Sequence, residues 1–367
     1  MKEGWEYRKL GEVCEILDSQ RKPITKGKRE PGSIPYYGAT GCLDYVKDYI
    51  FDEKLVLLGE DGAKWGAGEN SAYIIEGKSW VNNHAHALRP KRDLIVDELL
   101  VYYLNYSNLL SFITGVTVPK LNQEKMRSIE IPIGSVNEQQ SIVNYLDSAF
   151  AKIDAMKANA EKALNEAKAL FQSSLKEMME PKEGWEEKTL KEICRVINGR
   201  AYSKDEMLKQ GKYRLLRVGN FFTNDSWFYS DLELEEDKYC DNGDLLYAWS
   251  ASFGPRIWDG EKVIYHYHIW KMVCSEKIDK YFMYYWLDSD ELKKQTMTNL
   301  HGATMAHITK GIIEAAFVRF PSLSVQQSIV ATLDSLKSKV DRLQENYEKI
   351  SQECDALKQA ILRQVFE

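Results

Sequence analysis

The sequence has little of what would mark a membrane, secreted or metal-bound protein. No window approaches the roughly 18 consecutive apolar residues that a membrane helix requires, and Met1-Lys2-Glu3-Gly4-Trp5-Glu6 lacks the apolar stretch of a signal peptide. A cytoplasmic protein with no membrane partner is expected. The six cysteines (Cys14, Cys42, Cys194, Cys240, Cys274, Cys354) are scattered, with no Cys-x-x-Cys, which suits a reducing compartment and argues against structural zinc. Excess positive charge is missing too. With 49 Lys+Arg against 55 Asp+Glu the formal net charge is -6, so charge alone would not single the chain out as a nucleic-acid binder.

Catalytic motifs are equally scarce. There is no phosphate loop, no His-Glu-x-x-His and no Gly-x-Ser-x-Gly elbow. None of the 9 prolines is followed by another, so the Asn-Pro-Pro or Asp-Pro-Pro loop that holds a base amine for methyl transfer is lacking. Tyr265-His266-Tyr267-His268 and Asn82-Asn83-His84-x-His86 each alternate two polar ring or amide positions, but third and fourth metal ligands are not nearby. The expectation is no catalytic residue, no metal and no cofactor held by this chain.

What is present is a repeat. Glu3-Gly4-Trp5-Glu6 recurs as Glu183-Gly184-Trp185-Glu186, and Leu10-x-Glu12-Val13-Cys14 as Leu190-x-Glu192-Ile193-Cys194, an offset of 180. Gln139-Gln140-Ser141-Ile142-Val143 with Leu146-Asp147 recurs as Gln326-Gln327-Ser328-Ile329-Val330 with Leu333-Asp334, an offset of 187. Between these borders residues 21–128 and 201–314 share little. A chain of 367 residues, 44% apolar and 28% charged, thus reads as one unit of constant, variable and constant parts, duplicated.

The constant tails read as helices. In the second copy Ile329, Leu333, Leu336, Val340, Leu343, Tyr347, Ile350, Cys354, Leu357, Ile361 and Val365 follow a heptad spacing. The same register in the first copy gives Ile142, Leu146, Ala149, Ile153, Met156, Ala160, Ala163, Ala167, Leu170, Ser174 and Met178. An Ala-rich stripe accepts a partner carrying larger side chains, so the tails are expected to pair antiparallel as a coiled coil of about 55 Å at ~1.5 Å per residue, in a pseudo-twofold arrangement. Pro181 closes the first tail, while Pro132 and Pro321 mark the exits from the variable parts. The domains expected are 1–137, 138–180, 181–324 and 325–367. Strands are expected at 54–58, 72–75, 244–249 and 262–265, and helices at 99–110 and 281–287, giving mixed α/β (α+β) globular parts.

The variable parts concentrate groups suited to base edges and phosphates. Lys64, Trp65 and Asn70 lie in a Gly-rich loop that could equally be an ordinary turn over a half-buried Trp; Lys78, Asn82, Asn83, His84, Lys120 and Asn122 follow. The second variable part offers Arg217, Asn220, Trp249, Ser250, Arg256, His266, His268, His301, His307 and Lys310. Asn70, Asn82, Asn83 and Asn220 are read as adenine readers, Lys64, Arg217 and Arg256 as guanine or phosphate contacts, and Lys120 and Lys310 as phosphate clamps. All four expected domains carry a slight negative balance, so affinity for DNA would have to be borrowed from partners.

Gly4-Trp5-Glu6 with Lys9-Leu10-Gly11-Glu12-Val13, Tyr36-Tyr37-Gly38-Ala39-Thr40-Gly41, the stretch Asp61-Gly62-Ala63 to His86, Ile131-Pro132 with Glu138-Gln139-Gln140, Gly243-Asp244-Leu245-Leu246 and Leu357-Lys358-Gln359-Ala360-Ile361-Leu362 occur in this order on a duplicated chain. So arranged, the chain resembles the specificity subunit of type I restriction–modification systems over essentially its whole length. The resemblance implies two target recognition domains that each read half of a split double-stranded DNA sequence, joined by two long antiparallel helices. It also implies docking of two modification subunits, which carry S-adenosylmethionine, and of restriction subunits through the complex, with no catalysis by the chain itself. One departure is Val325 where the first copy has Glu138, which removes an acidic residue from one helix start. The alternative is a coiled-coil scaffold whose Trp- and Tyr-rich heads bind proteins.

Overall fold

A computed structural model describes residues 4–115, 117–250, 252–297 and 308–367. They form two compact units, one from residues 1–161 and 346–367, the other from 162–345.

In the first unit a four-stranded antiparallel sheet runs in the order Cys14–Ile16, Ala85–Pro90, Leu55–Gly59, Ala72–Ile75. A second sheet orders Gly41–Val46, Pro31–Gly38, Lys78–Val81 and Phe51–Asp52, with its central pair parallel. The central strand Leu55-Val56-Leu57-Leu58 is wholly buried because both its faces are covered. Alternation sends Val56 and Leu58 into the core shared with helix Asp97–Tyr106, and Leu55 and Leu57 into the core shared with the second sheet. The short strand Glu6–Lys9 pairs with Glu130–Ile133, where Pro132 is accommodated because the ladder has only two strands.

The second unit repeats this topology without repeating the sequence. One sheet runs Cys194–Asn198, Ile269–Cys274, Leu245–Ser250, Ser252–Ile257, and the other Phe228–Ser230, Tyr213–Leu216, Val263–Tyr265, Tyr239–Cys240, again with a parallel central pair. Leu245 and Tyr247 face the core built with helix Lys280–Asp288, while Leu246 and Ala248 face the other. The strands expected at 72–75 and 262–265 and the helix expected at 281–287 lie within a residue or two of observed elements. The helix expected at 99–110 runs instead from Asp97 to Tyr106.

The two long helices span Val136–Met179 and Leu323–Phe366. In the first unit Asp154 meets Lys358 at 2.6 Å and Lys157 meets Asp355 at 3.5 Å, so the partners advance in opposite directions and the helices run antiparallel. In the second, Lys168 reaches Gln344 at 2.8 Å, and Leu175, Met179, Val330 and Leu333 join one core. The expected seam holds at Leu146, Ile153, Leu333 and Cys354, but Met156, Leu170 and Leu357 are exposed, and Leu164, Leu175 and Leu362 are buried instead. Ile153, Leu164 and Leu175 recur every eleven residues, which follows the natural turn of 3.6 residues rather than the 3.5 of a heptad.

The repeated motif explains itself in this fold. Gln139, fully buried, accepts from Val96 N at 3.0 Å and donates to the carbonyls of Leu94 (2.7 Å) and Gly134 (2.9 Å). Gln326 does the same to Asp279 N, Lys277 O and Pro321 O at 2.8, 3.0 and 2.8 Å. Each glutamine stitches the start of a long helix to the globular part that precedes it. The Glu138/Val325 difference is one of capping: Glu138 accepts from Ser135 N and Oγ while Ser135 Oγ accepts from Glu138 N, a reciprocal box that Val325 cannot form with Ser322.

Candidate nucleic-acid interface

In each unit the turns at one end of the two sheets lie together. Asn82 N donates to Tyr37 O (3.0 Å), Glu60 N to His84 O (2.9 Å) and Leu121 N to Glu60 O (2.8 Å), drawing the turns after Pro31–Gly38, Leu55–Gly59 and Lys78–Val81 toward Lys120 and Leu121. In the second unit His266 N donates to Leu216 O (2.9 Å), Tyr267 N to Arg200 O (3.0 Å) and Trp249 N to His268 O (3.1 Å). Loop 82–84 and loop 266–268 connect equivalent strands, so two segments chosen for their side chains alone occupy the same place in the fold.

Under the first rim lies a charged cluster. His86, buried on its strand, has Nδ1 at 2.6 Å from Asp18 and Nε2 at 2.7 Å from Leu121 O. Arg21 bonds Glu60 (2.6 Å), Asp18 (3.2 Å) and Ala85 O (2.6 Å), and Lys120 bonds Glu60 at 2.7 Å. Burial works against ionisation of Asp18, but the hydrogen bond from His86 and the charge of Arg21 outweigh it and lower its pKa; Glu60 is likewise lowered, with Lys120 and Arg21 overcoming burial. Asp18, Glu60 and His86 are close enough to hold a metal ion. Two cations already balance the two carboxylates, so the donor set suits a structural network that fixes the loops better than a divalent ion. Above it, Asn83 and His84 are exposed, with His84 Nδ1 bonded to Asp61.

The second rim is aromatic. Trp249 stacks on Trp270 (5.3 Å, 16°), lies edge-on to His268 (5.1 Å) and donates Nε1 to Tyr267 O. Tyr202 stacks beside His266 (6.4 Å, 27°) beneath the Arg200 guanidinium, which is held by Glu206. Burial, with His268 and Arg217 nearby, pushes His266 down to about 4, so its ring is neutral at physiological pH and can both donate and accept.

The predicted residues therefore divide. Asn83, His84 and Lys120 share the first rim, and Arg217, Trp249, His266 and His268 the second. Lys64 and Asn70 are exposed on the long loop after Leu55–Gly59, Lys64 within 3.9 Å of Glu69. Lys78 lies over the Tyr49 ring on the other sheet. Lys310 opens a short helix and faces Glu314. Several expectations need correction. Trp65 is buried and donates to Gly59 O. Asn82 is buried with Oδ1 accepting from His84 N, and Asn220 is buried with Oδ1 on Arg217 N and Nδ2 on Leu215 O, so both asparagines shape turns, and the whole amide of Asn220 is engaged by backbone. Asn122 caps helix Gln123–Arg127, Ser250 is buried, and the Arg256 guanidinium is taken by Phe221 O and Asp259 over Trp258. His301 and His307 lie outside the described residues. Reading the sequence missed Arg21 and Arg200, seven and six residues beyond the repeated Cys14 and Cys194, a signal that was there to find.

Residues 2–166 and 182–352 match the family model described as type I restriction modification DNA specificity domain. S.HindORF215P of Haemophilus influenzae, by its name a type I restriction enzyme specificity subunit, is 26% identical over 93% of this chain and 89% of its own length. The HsdS subunit from Thermoanaerobacter tengcongensis superposes with a TM-score of 0.60 at 17% identity, over 100% of this chain and 97% of that one. A chain from a structure concerned with complex assembly and conformational transition of the type I R-M system reaches 0.76 at 17% identity, over 100% and 98%. At such identity these two speak to the fold.

Proposed function

The chain belongs to the type I restriction modification DNA specificity family, and we propose that its two loop-bearing rims each read one half of a split, asymmetric double-stranded DNA target. The observation that carries this is the same set of turns, gathered at the same end of the same two sheets, furnished with unlike side chains in the two units: Asn83 and His84 beside the Glu60-bound Lys120 in one, Trp249, His266, His268 and Arg217 in the other. A constant frame with a variable rim is what direct readout of two different half-sites needs. In this reading two modification subunits dock on the chain and hold the S-adenosylmethionine, restriction subunits join through the complex, and this chain performs no chemistry.

The test is co-expression with a type I methyltransferase subunit, followed by sequencing of methylated positions in host DNA. A bipartite motif with a fixed gap is expected, and exchanging residues 201–314 should change one half only. A stable complex that leaves no motif overturns the proposal.

A further inference from the structure

Net charge counted over whole domains hides a local exception. Residues 21–29, Arg-Lys-Pro-Ile-Thr-Lys-Gly-Lys-Arg, hold five cations and no acid in a chain whose formal charge is -6. The segment joins the first strand of one sheet to the strand Pro31–Gly38 of the other, and its two arginines and three lysines behave differently. Both arginines turn inward. Arg21 is bonded to Asp18, Glu60 and Ala85 O, and Arg29 to Asp44 (2.9 Å) and Ile24 O (3.1 Å) while lying 4.2 Å over the Tyr36 ring. Between them the backbone is pinned: Trp80 Nε1 donates to Lys22 O at 2.6 Å, Lys22 N to Val81 O, and Ile24 N to the Tyr36 hydroxyl at 2.9 Å. Lys22, Lys26 and Lys28 are exposed, and none has a carboxylate within ion-pair distance among the described residues.

We propose that Lys22, Lys26 and Lys28 form a phosphate-binding track for the DNA backbone beside the first rim. Arg21 ties this segment to the carbonyl of Asn83, in the loop that carries His84, and to that of Ala85 at the start of the following strand, so phosphates held here fix the duplex next to the base-reading side chains. A pinned backbone suits the task, since little ordering remains for the lysines' attachment points when DNA arrives. The equivalent connection of the second unit, 199–212, also anchors its arginine, Arg200 on Glu206, and exposes Lys204 and Lys209, but it carries the acids Asp205 and Glu206 that 21–29 lacks. The inference rests on the DNA-reading proposal and names where that reading finds positive charge on an acidic chain.

The experiment uses the complete complex with its modification subunits and two duplexes, one bearing the methylation-mapped motif and one with the motif scrambled. Binding is measured against salt for the native complex, for Lys22→Gln/Lys26→Gln/Lys28→Gln, and for the triple Lys→Arg variant. The glutamine variant is expected to weaken both duplexes alike, and the slope of log K against log salt should become shallower by about 2–3, since each phosphate neutralised contributes ~0.9. The arginine variant should keep the native slope. An unchanged slope in the glutamine variant, with a native circular-dichroism spectrum, overturns the track, as does a loss confined to the motif duplex. A native complex that shows no preference for the motif overturns the DNA-reading proposal instead, and the slope on scrambled DNA still decides whether the track exists.

Discussion

The Tyr102 hydroxyl donates to Asp147 across 2.6 Å, tying helix Asp97–Tyr106 to the first long helix, and Tyr285 makes the same contact with Asp334 at the same distance in the second unit. Burial, reinforced by the carboxylate, raises the pKa of both phenols, so each stays a donor at any physiological pH. Tyr285→Phe should lower the unfolding free energy of the chain by ~1–2 kcal/mol, because Tyr285 is itself buried and its bond partly so; the more exposed Tyr102→Phe should cost under about 1 kcal/mol. Urea titrations of the two variants give the comparison. A larger loss for Tyr102→Phe contradicts the ranking.

Gln139 and Gln326 are more demanding positions. Alanine at either leaves one partly buried backbone N–H and two carbonyls without their side-chain partner, and an unsatisfied buried group is worth roughly 1–3 kcal/mol. Gln326→Ala is therefore expected to destabilise the chain by at least ~2 kcal/mol in denaturant unfolding. Gln326→Glu keeps the acceptor for Asp279 N but loses the donor and buries a charge, so it should be no milder. A variant of native stability would mean that the helix start does not depend on this tie.

The ring of His266 offers a pH test with a definite sign. Its folded-state pKa of about 4 lies below the ordinary 6.5, so between these values the unfolded chain binds a proton that the folded chain refuses. The stability contributed by the neutral ring is fully present above pH ~6.5 and is lost as pH falls from 6.5 toward 4. Side-chain NMR titration should place His266 near 4, and Arg217→Met should move it upward by removing a neighbouring positive charge. A midpoint near 6.5 in the native chain would show the ring to be open to water.

Much of this architecture was legible beforehand because it is periodic or repeated. The long helices and the duplication announce themselves through spacing, and the apolar run at 54–58 announces a strand. The helix seam was misplaced at Met156, Leu170 and Leu357 because a heptad was imposed on a helix that turns every 3.6 residues. The site was harder to see. Asn82 and Asn220 have the right chemistry for adenine, yet a side chain two or three bonds from its own turn finds the backbone first, and sequence alone does not say which partner wins. Arg21 and the lysines after it were lost by summing charge over whole domains, whereas a phosphate senses charge only within about a Debye length.

The division between rim and frame can be tested by substitution. His84 and Asn83 are exposed in the first rim, while Asn82 beside them is buried and holds the turn through His84 N. His84→Ala or Asn83→Ala should leave the unfolding midpoint nearly unchanged and relax the preference for one base in one half of the methylated motif, by the ~1–3 kcal/mol that a base contact provides. Asn82→Ala should act the other way round, lowering stability by removing a buried cap and weakening recognition of that half without changing which bases it prefers. Methylome sequencing beside thermal unfolding separates the cases. If Asn82→Ala alters base preference at full stability while the two rim variants do nothing, then buried turn residues and exposed readers have been assigned the wrong way round, and the reading surface of the first unit lies elsewhere on its loops.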